Sequence, residues 1–301
     1  KRWKHLKEYL LNFPDAWQFN IGTAIDDWIK NFSRTHREIL GFIKRSVITS
    51  IKSINELLSI IPWWLLILIV MLLGWRVSGK KRVGLLYGVM LFFIGSSGLW
   101  DHMLETLSIV IASVILSVLL GFPLGILLAL NKRADGIVRP ILDLMQTMPT
   151  FVYLVPAVIL FSVGMTPALM ATTIYAIVPM IRLTSHGINH VDTEVVEAAI
   201  AFGSTTLQSL VKVQIPQALP TIMAGVNQTI MMAMSMVVTC ALIGANGLGM
   251  EILVATNRTE MGKALMPGIC IVFIAIILDR LTQGFVDNKE YNTFFRRRPM
   301  R

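Results

Sequence analysis

The run EAAIAFGSTT, Glu197–Thr206, sets one acid, a pair of adjacent alanines and a glycine between long apolar stretches. The chemistry these residue types offer is docking. Glu197 presents a charge to a basic partner, Ala198 and Ala199 leave room for another surface to approach the backbone, and Leu207, Leu210 and Val211 supply an apolar stripe. Asp192 or Thr193 can cap a helix start, and Glu194 suits its first turn. Gly203 can end that helix in the left-handed conformation. Ser204 can cap a second short helix, and Pro216 prevents that helix from running on unbroken. The segment therefore predicts helix, turn, helix. Such a unit can seat in a groove of a second protein or pack on its own chain, and the residue types alone leave both readings open.

A second chemistry is carriage across a bilayer. Polar residues inside apolar spans are pathway candidates. Gln146, Thr150 and Tyr153 fall on one helical face by their four- and three-residue steps, with Met145 and Met148 beside them. Asn227, Met231 and Met234 form a second face, with Gln228, Met232 and Ser235 adjacent. Tyrosine offers cation–π attraction and methionine a polarizable, adaptable contact, which suits a compact cation in passage. The same residues also pack helices together in membranes. No set of three or four aromatics stands out as a fixed cage. GANGLG, Gly244–Gly249, lacks the Lys-Ser/Thr of a phosphate loop and reads as a flexible re-entrant turn. His186 and His190 sit four apart near Asp192 and Glu194, but beside the docking segment rather than in a metal-site pattern. No nucleophile–base arrangement and no Walker A pattern can be assembled. The expectation is a chain with no catalytic residue, no metal and no cofactor of its own.

These residues need elements to hold them. The chain has 301 residues, 54% apolar and 15% charged, with mean hydropathy +0.66. Soluble domains carry about 25% charged residues, and runs of about 18 or more apolar residues span a bilayer as helices. Leu58–Trp75, Val83–Trp100 and Thr106–Asn131 each qualify. Leu144–Ile181 is too long for one span and breaks at GMTP, Gly164–Pro167, into two. One more helix is expected at about Leu219–Leu242 and a last at Gly262–Leu278, giving seven. A barrel would show short alternating segments instead. The mid-span regions carry no Asp or Glu and no internal repeat is visible, which argues against a carrier working alone. Cys240 and Cys270 lack metal-ligand spacing and read as packing residues.

The net charge of +9 lies at span ends, where it faces anionic lipid, and no nucleic-acid-binding pattern accompanies it. The basic loops RVSGKKR (Arg76–Arg82) and NKRADGIVR (Asn131–Arg139), with the basic FRRRPMR tail, are expected inside. That count places residues 190–216 and the C-terminus in the cytoplasm and residues 1–57 outside. Within 1–57, Leu40, Ile43, Val47, Ile51, Ile54 and Leu58 recur at three- and four-residue steps, with Lys44, Arg45, Lys52 and Glu56 among them. This reads as an amphipathic helix at the membrane surface. The chain starts at Lys1 without Met or a signal-peptide pattern, so its natural start is expected upstream.

The spacing Glu197-Ala198-Ala199, three residues, Gly203, nine residues, then Val213, Ile215, Pro216 resembles the EAA motif of ABC importer permeases. PILDLMQTMPTFVYLVPAVILF, IRLTSHGINHV, PTIMAGVNQTIMMAMSMVV and AIILDRLTQ resemble the permeases of glycine betaine/proline (quaternary ammonium) importers over about Trp100–Phe285. The resemblance implies an all-α integral membrane protein of the bacterial inner (cytoplasmic) membrane, with a type I importer core of five helices. It divides the chain into the segment 1–57, two peripheral helices in 58–100, a permease core in 101–285 and a basic tail in 286–301. It implies coupling helices in 190–216, with Glu197, Ala198, Ala199, Gly203, Leu207, Ile215 and Pro216 against an ATPase subunit. It further implies a homodimer, two ATPase subunits carrying ATP and Mg, and an external solute-binding protein. Choline, carnitine or an amino acid such as histidine would suit the same architecture.

Overall fold

The computed structural model describes residues 21–287, and all regular structure among them is helical. The basic tail at 295–301 and the first 20 residues of the amphipathic segment lie outside the described residues. The chain forms α1 (Ile21–Thr35), α2 (Arg37–Ile60), α3 (Trp63–Ser78), α4 (Lys81–Ser96), α5 (Trp100–Leu130), α6 (Lys132–Thr147) and α7 (Thr150–Phe161). It continues through α8 (Met165–Asn189), α9 (Thr193–Ala201), α10 (Thr206–Ser209), α11 (Ile215–Cys240), α12 (Leu248–Asn257) and α13 (Met261–Asp287).

Among the described residues, four helical stretches are long and apolar enough to cross a membrane: α5, α8, the helical run Thr206–Ile243 that contains α10 and α11, and α13. Two bent pairs, α2 with α3 and α6 with α7, bring the count to six if each is one span. The described residues give four to six where seven were expected. Leu58–Trp75 is not one straight helix, because α2 and α3 meet at 91° across Ile61–Pro62. Leu144–Ile181 breaks twice, at the expected Gly164 turn and at Met148–Pro149, where α6 and α7 meet at 101°. The cause is the same in both bends. Proline's ring pushes the preceding residue out of the helical region, and Ile61 (ψ 117°) and Met148 (ψ 137°) are both extended. Val83–Trp100 also ends early, since α4 stops at Ser96 and Trp100 opens α5. At about 1.5 Å per residue, the 16 residues of α4 fall short of a hydrocarbon core about 30 Å thick.

The centre of the molecule is α8, the most buried of the four long spans, packed between α5 and α11. Small residues set the spacing. A Cβ on Gly125 of α5 would lie 2.5 Å from Thr184 Cβ of α8, so only glycine admits this approach. Some buried hydroxyls bond within a helix or across to the next: Ser113 donates to Ile109 O at 2.8 Å and Ser117 to Thr173 O at 3.3 Å. Cys240 and Cys270 are buried free thiols in this core.

Three hydrogen bonds fix which turns share an end of the bundle. Gly164 N–H donates to Ile243 O at 2.8 Å, Leu248 N–H to Thr106 Oγ1 at 2.9 Å, and Ser108 Oγ to Asn55 Oδ1 at 3.2 Å. The α7–α8 turn, the GANGLG turn and the start of α5 therefore gather beside α2. The GANGLG segment, read as a flexible re-entrant turn, is pinned by these bonds between a 3-10 turn and α12. The α5–α6 turn and residues 190–209 lie at the opposite end. The amphipathic pattern in α2 does bury a face: Ile51 enters the core, with Val47, Ile54 and Leu58 packed against it.

Candidate functional site

The segment from Val191 to Pro216 folds as helix, turn, helix, built by local chemistry. Asp192 caps α9, its carboxylate accepting from Glu194 N–H at 3.0 Å. Gly203 ends it at φ +84°, with Gly203 N–H on Ile200 O at 2.9 Å and Ser204 N–H on Ala199 O at 3.1 Å. A side chain in that conformation would be strained. The second cap is Thr205 and not Ser204. Its hydroxyl accepts from Gln208 N–H at 3.3 Å while Gln208 Oε1 accepts from Thr205 N–H at 3.0 Å, a capping box. Pro216 does not interrupt the helix either. A π turn, Leu210–Gln214, precedes it, and Ile215 N–H reaches back to Leu210 O. The wider turn absorbs the proline, and the chain stays helical from Thr206 to Ile243.

The two sides of this unit differ. Val191 and Leu210 are buried with Met180, Ile188, Ala218 and Ile222, anchoring its base to α8 and α11, with Ile215 packed beside them. Its tip stands free. Glu197, Ala198 and Gly203 are exposed, Ala199 and Pro216 half-buried, and Glu197 makes no ion pair among the described residues. Leu207 is 69% exposed and Val211 is exposed, whereas Leu210, read as part of their stripe, is 4% exposed. Phe202, at 91% exposure, and Ile200 crown the tip. Neither was singled out from sequence, although a large apolar residue directly before a left-handed glycine is forced outward and could have been.

The two proposed path faces are redrawn. Gln146 lies on α6 and Thr150 and Tyr153 on α7, across the 101° bend, so they do not share a helical face. Gln146 is exposed and Thr150 half-buried. Tyr153 is buried, donates its hydroxyl to Met145 O and meets Tyr175 edge-on at 5.7 Å between ring centroids. On α11, Met234 is 2% exposed and packs in the core. Asn227 turns toward α13 and donates to Asp279 Oδ1 at 2.8 Å. The exposed face is Gln228, Met231 and Ser235, at steps of three and four, continued by Ala224 and Pro220. It is a weakly polar stripe on a long apolar helix.

Residues 121–289 match the family described as binding-protein-dependent transport system inner membrane component. This chain belongs to that family. The transport component is 43% identical to the glycine betaine/proline betaine transport system permease protein ProW of Escherichia coli strain K12, over 86% of this chain and 74% of that protein. It is 43% identical to the glycine betaine transport system permease protein OpuAB of Bacillus subtilis strain 168, over 90% and 95%. With the glycine betaine/carnitine transport permease protein GbuB of Listeria monocytogenes the identity is 47%, over 74% and 80%. Among solved structures, an inward-facing MetNI methionine ABC transporter aligns with TM-score 0.57 and 21% identity over 63% of this chain and 94% of that one. The all-α membrane fold and ABC permease core expected from the sequence are therefore in place.

Three features of this transport component lie outside the sequence reading. Asp279 sits inside the α13 span, so an acid does occur within the bundle. It is held by Asn227 and by Gln283 Nε2 at 2.6 Å, which marks it as a helix-packing group. Arg182 of α8 pairs with Asp143 of α6 at the edge of a cavity of about 500 Å³ beside His186. His186 and His190 face each other at 3.8 Å between ring centroids. Third, Trp63, Phe92 and Trp100 converge around an apolar cavity of about 420 Å³, three aromatics drawn together from α3, α4 and α5 that no local spacing reveals.

Proposed function

We propose that this chain is the membrane-spanning subunit of an ATP-driven importer for glycine betaine, proline betaine or a closely related quaternary ammonium osmolyte. The observation that carries the solute class is the 43–47% identity to permeases named for glycine betaine across most of the chain. The α9–α10 tip is the coupling element: Glu197, Ala198, Ala199, Gly203, Phe202 and Leu207 meet a groove in a partner ATPase, while Ile215 and Pro216 join the unit to α11. Its exposed apolar crown on a base anchored in the bundle supports this role over a loop folded back on its own chain.

The working assembly is two copies of this chain, two ATPase subunits that carry ATP and Mg, and an external solute-binding protein that supplies high-affinity recognition. Residues 190–216 face the cytoplasm, and α1 and α2 lie at the outer face. The Gln228, Met231 and Ser235 stripe, uncovered in a single chain, lines the path between two copies. Its weak, adaptable contacts suit a solute that must pass and not stay. ATP binding closes the ATPases, the seated tips move with them, and the α11 helices exchange inward- for outward-facing arrangements.

The test is co-purification of the ATPase from native membranes in mild detergent, followed by uptake in proteoliposomes with the binding protein. An ATPase that stays with the wild-type chain, leaves the Glu197→Lys variant, and drives glycine betaine uptake is the expected result. Transport by the chain alone without ATP would overturn it.

A further inference from the structure

We propose that the cavity between the α1–α2 junction and the C-terminal end of α7 binds the phosphate of an anionic phospholipid. The cavity holds about 460 Å³, within the usual range for a ligand site. Arg34, Arg37 and Lys44 line one side, with the Ser33 and Ser162 hydroxyls at its margin. No acidic residue lines it, and none of the three cations forms an ion pair among the described residues. Three like charges lining one cavity without a counter-charge among its lining residues make it complementary to an anion.

The other wall specifies the kind of anion. Ile159, Leu160 and Phe161 form it, at the end of the apolar α7 half of a bent membrane span. A site that is cationic on one side and apolar on the other fits an amphiphile better than a free ion. Its setting agrees. Ile25, Trp28, Phe32, Ile39 and Phe42 follow one helical face of α1 and α2, and all are exposed, Trp28 by 68%. That face, on helices flanking a transmembrane bundle, lies in the bilayer interface, where a headgroup phosphate is at hand. The lipid would bridge α1 and α2 to α7. The inference does not depend on which solute the protein carries.

The intact chain, purified in mild detergent and incubated with phosphatidylglycerol or phosphatidylcholine, is read by native mass spectrometry for retained lipid. The wild type is expected to retain phosphatidylglycerol in preference to phosphatidylcholine. Each cation near an anionic headgroup is worth roughly fivefold, so Arg34→Gln/Arg37→Gln/Lys44→Gln should weaken retention about a hundredfold. Lys80→Gln/Lys81→Gln/Arg82→Gln, at the start of α4, should leave it unchanged. Should the triple variant fail to fold, Arg37→Gln alone, with an unchanged melting curve, should show the single roughly fivefold step. Equal retention by wild type and variant, or no preference between the two lipids, overturns the site. Displacement of the lipid by millimolar inorganic phosphate overturns the phospholipid as its occupant.

Discussion

The α9–α10 tip and the α5–α8–α11 core invert each other. At the tip, large apolar side chains such as Phe202 and Leu207 stand exposed, while in the core Ser113, Ser117, Thr172 and Thr229 are fully buried. In a soluble protein the first would be a liability and the second a cost. Here both follow from what surrounds each region. The core is surrounded by lipid, which is as apolar as leucine, so its helices hold by close approach and by polar contacts such as Ser113 with Ile109 O and Thr172 with Cys240 Sγ. The tip stands at one end of the bundle, beyond the long apolar spans, and its exposed apolar surface suits the partner proposed for it.

The contrast makes the two regions separable by mutation. Gly203→Pro demands φ near −65° where the backbone sits at +84°. It should disorganise the tip, cutting ATP-driven uptake by at least about a hundredfold, the loss of roughly 3 kcal/mol of docking energy, with membrane levels unchanged. Wild-type uptake by that variant would break the assignment of the tip. Phe202→Ala should lower affinity for the ATPase about thirtyfold, as a hot-spot residue worth about 2 kcal/mol does. The melting temperature of the chain alone should not move, because the side chain is 91% exposed. A lowered melting temperature would mean that Phe202 packs on its own bundle. Gly125→Ala should do the reverse: destabilise the chain by about 1–3 kcal/mol through overpacking against Thr184, read as a lower denaturation midpoint in detergent, with ATPase affinity retained per folded molecule. The smallest effect belongs to the Asn227–Asp279 hydrogen bond. A double-mutant cycle with Asn227→Ala and Asp279→Ala should give a coupling energy of about 0.6 kcal/mol, the average for such bonds in membranes. A carrier proton site at Asp279 would show instead as proton-dependent uptake abolished by Asp279→Asn.

What the sequence disclosed follows the same division. The tip was legible because its structure is local: Asp192 caps within two residues, Gly203 turns the chain by itself, and a one-place error, Ser204 for Thr205, is the scale on which neighbouring hydroxyls compete. The long spans around Thr106–Asn131 and Leu219–Leu242 were legible from length and apolarity alone. The bends at Pro62 and Pro149 were not, because a proline inside an apolar run is as compatible with a membrane helix as with a break, and packing decides. Which residues share the exposed face of α11 was not legible for a different reason. Asn227 and Gln228 are adjacent and chemically alike, about 100° apart on the helix, and what sends one inward is Asp279, 52 residues away. The aromatic cluster of Trp63, Phe92 and Trp100 likewise exists only once three helices are assembled.

The π turn at Leu210–Gln214 carries a consequence of phase. It is one extra residue wound into an otherwise continuous rod of 38 residues. Gln228 lies 21 residues beyond Leu207, about 32 Å along the axis, with no loop between exposed Leu207 and the weakly polar stripe. The inserted residue therefore sets the clock angle between them. Deleting it would let the rod close as a plain α-helix and turn Leu207 about 100° relative to the stripe, leaving both surfaces intact and aimed at the wrong neighbours.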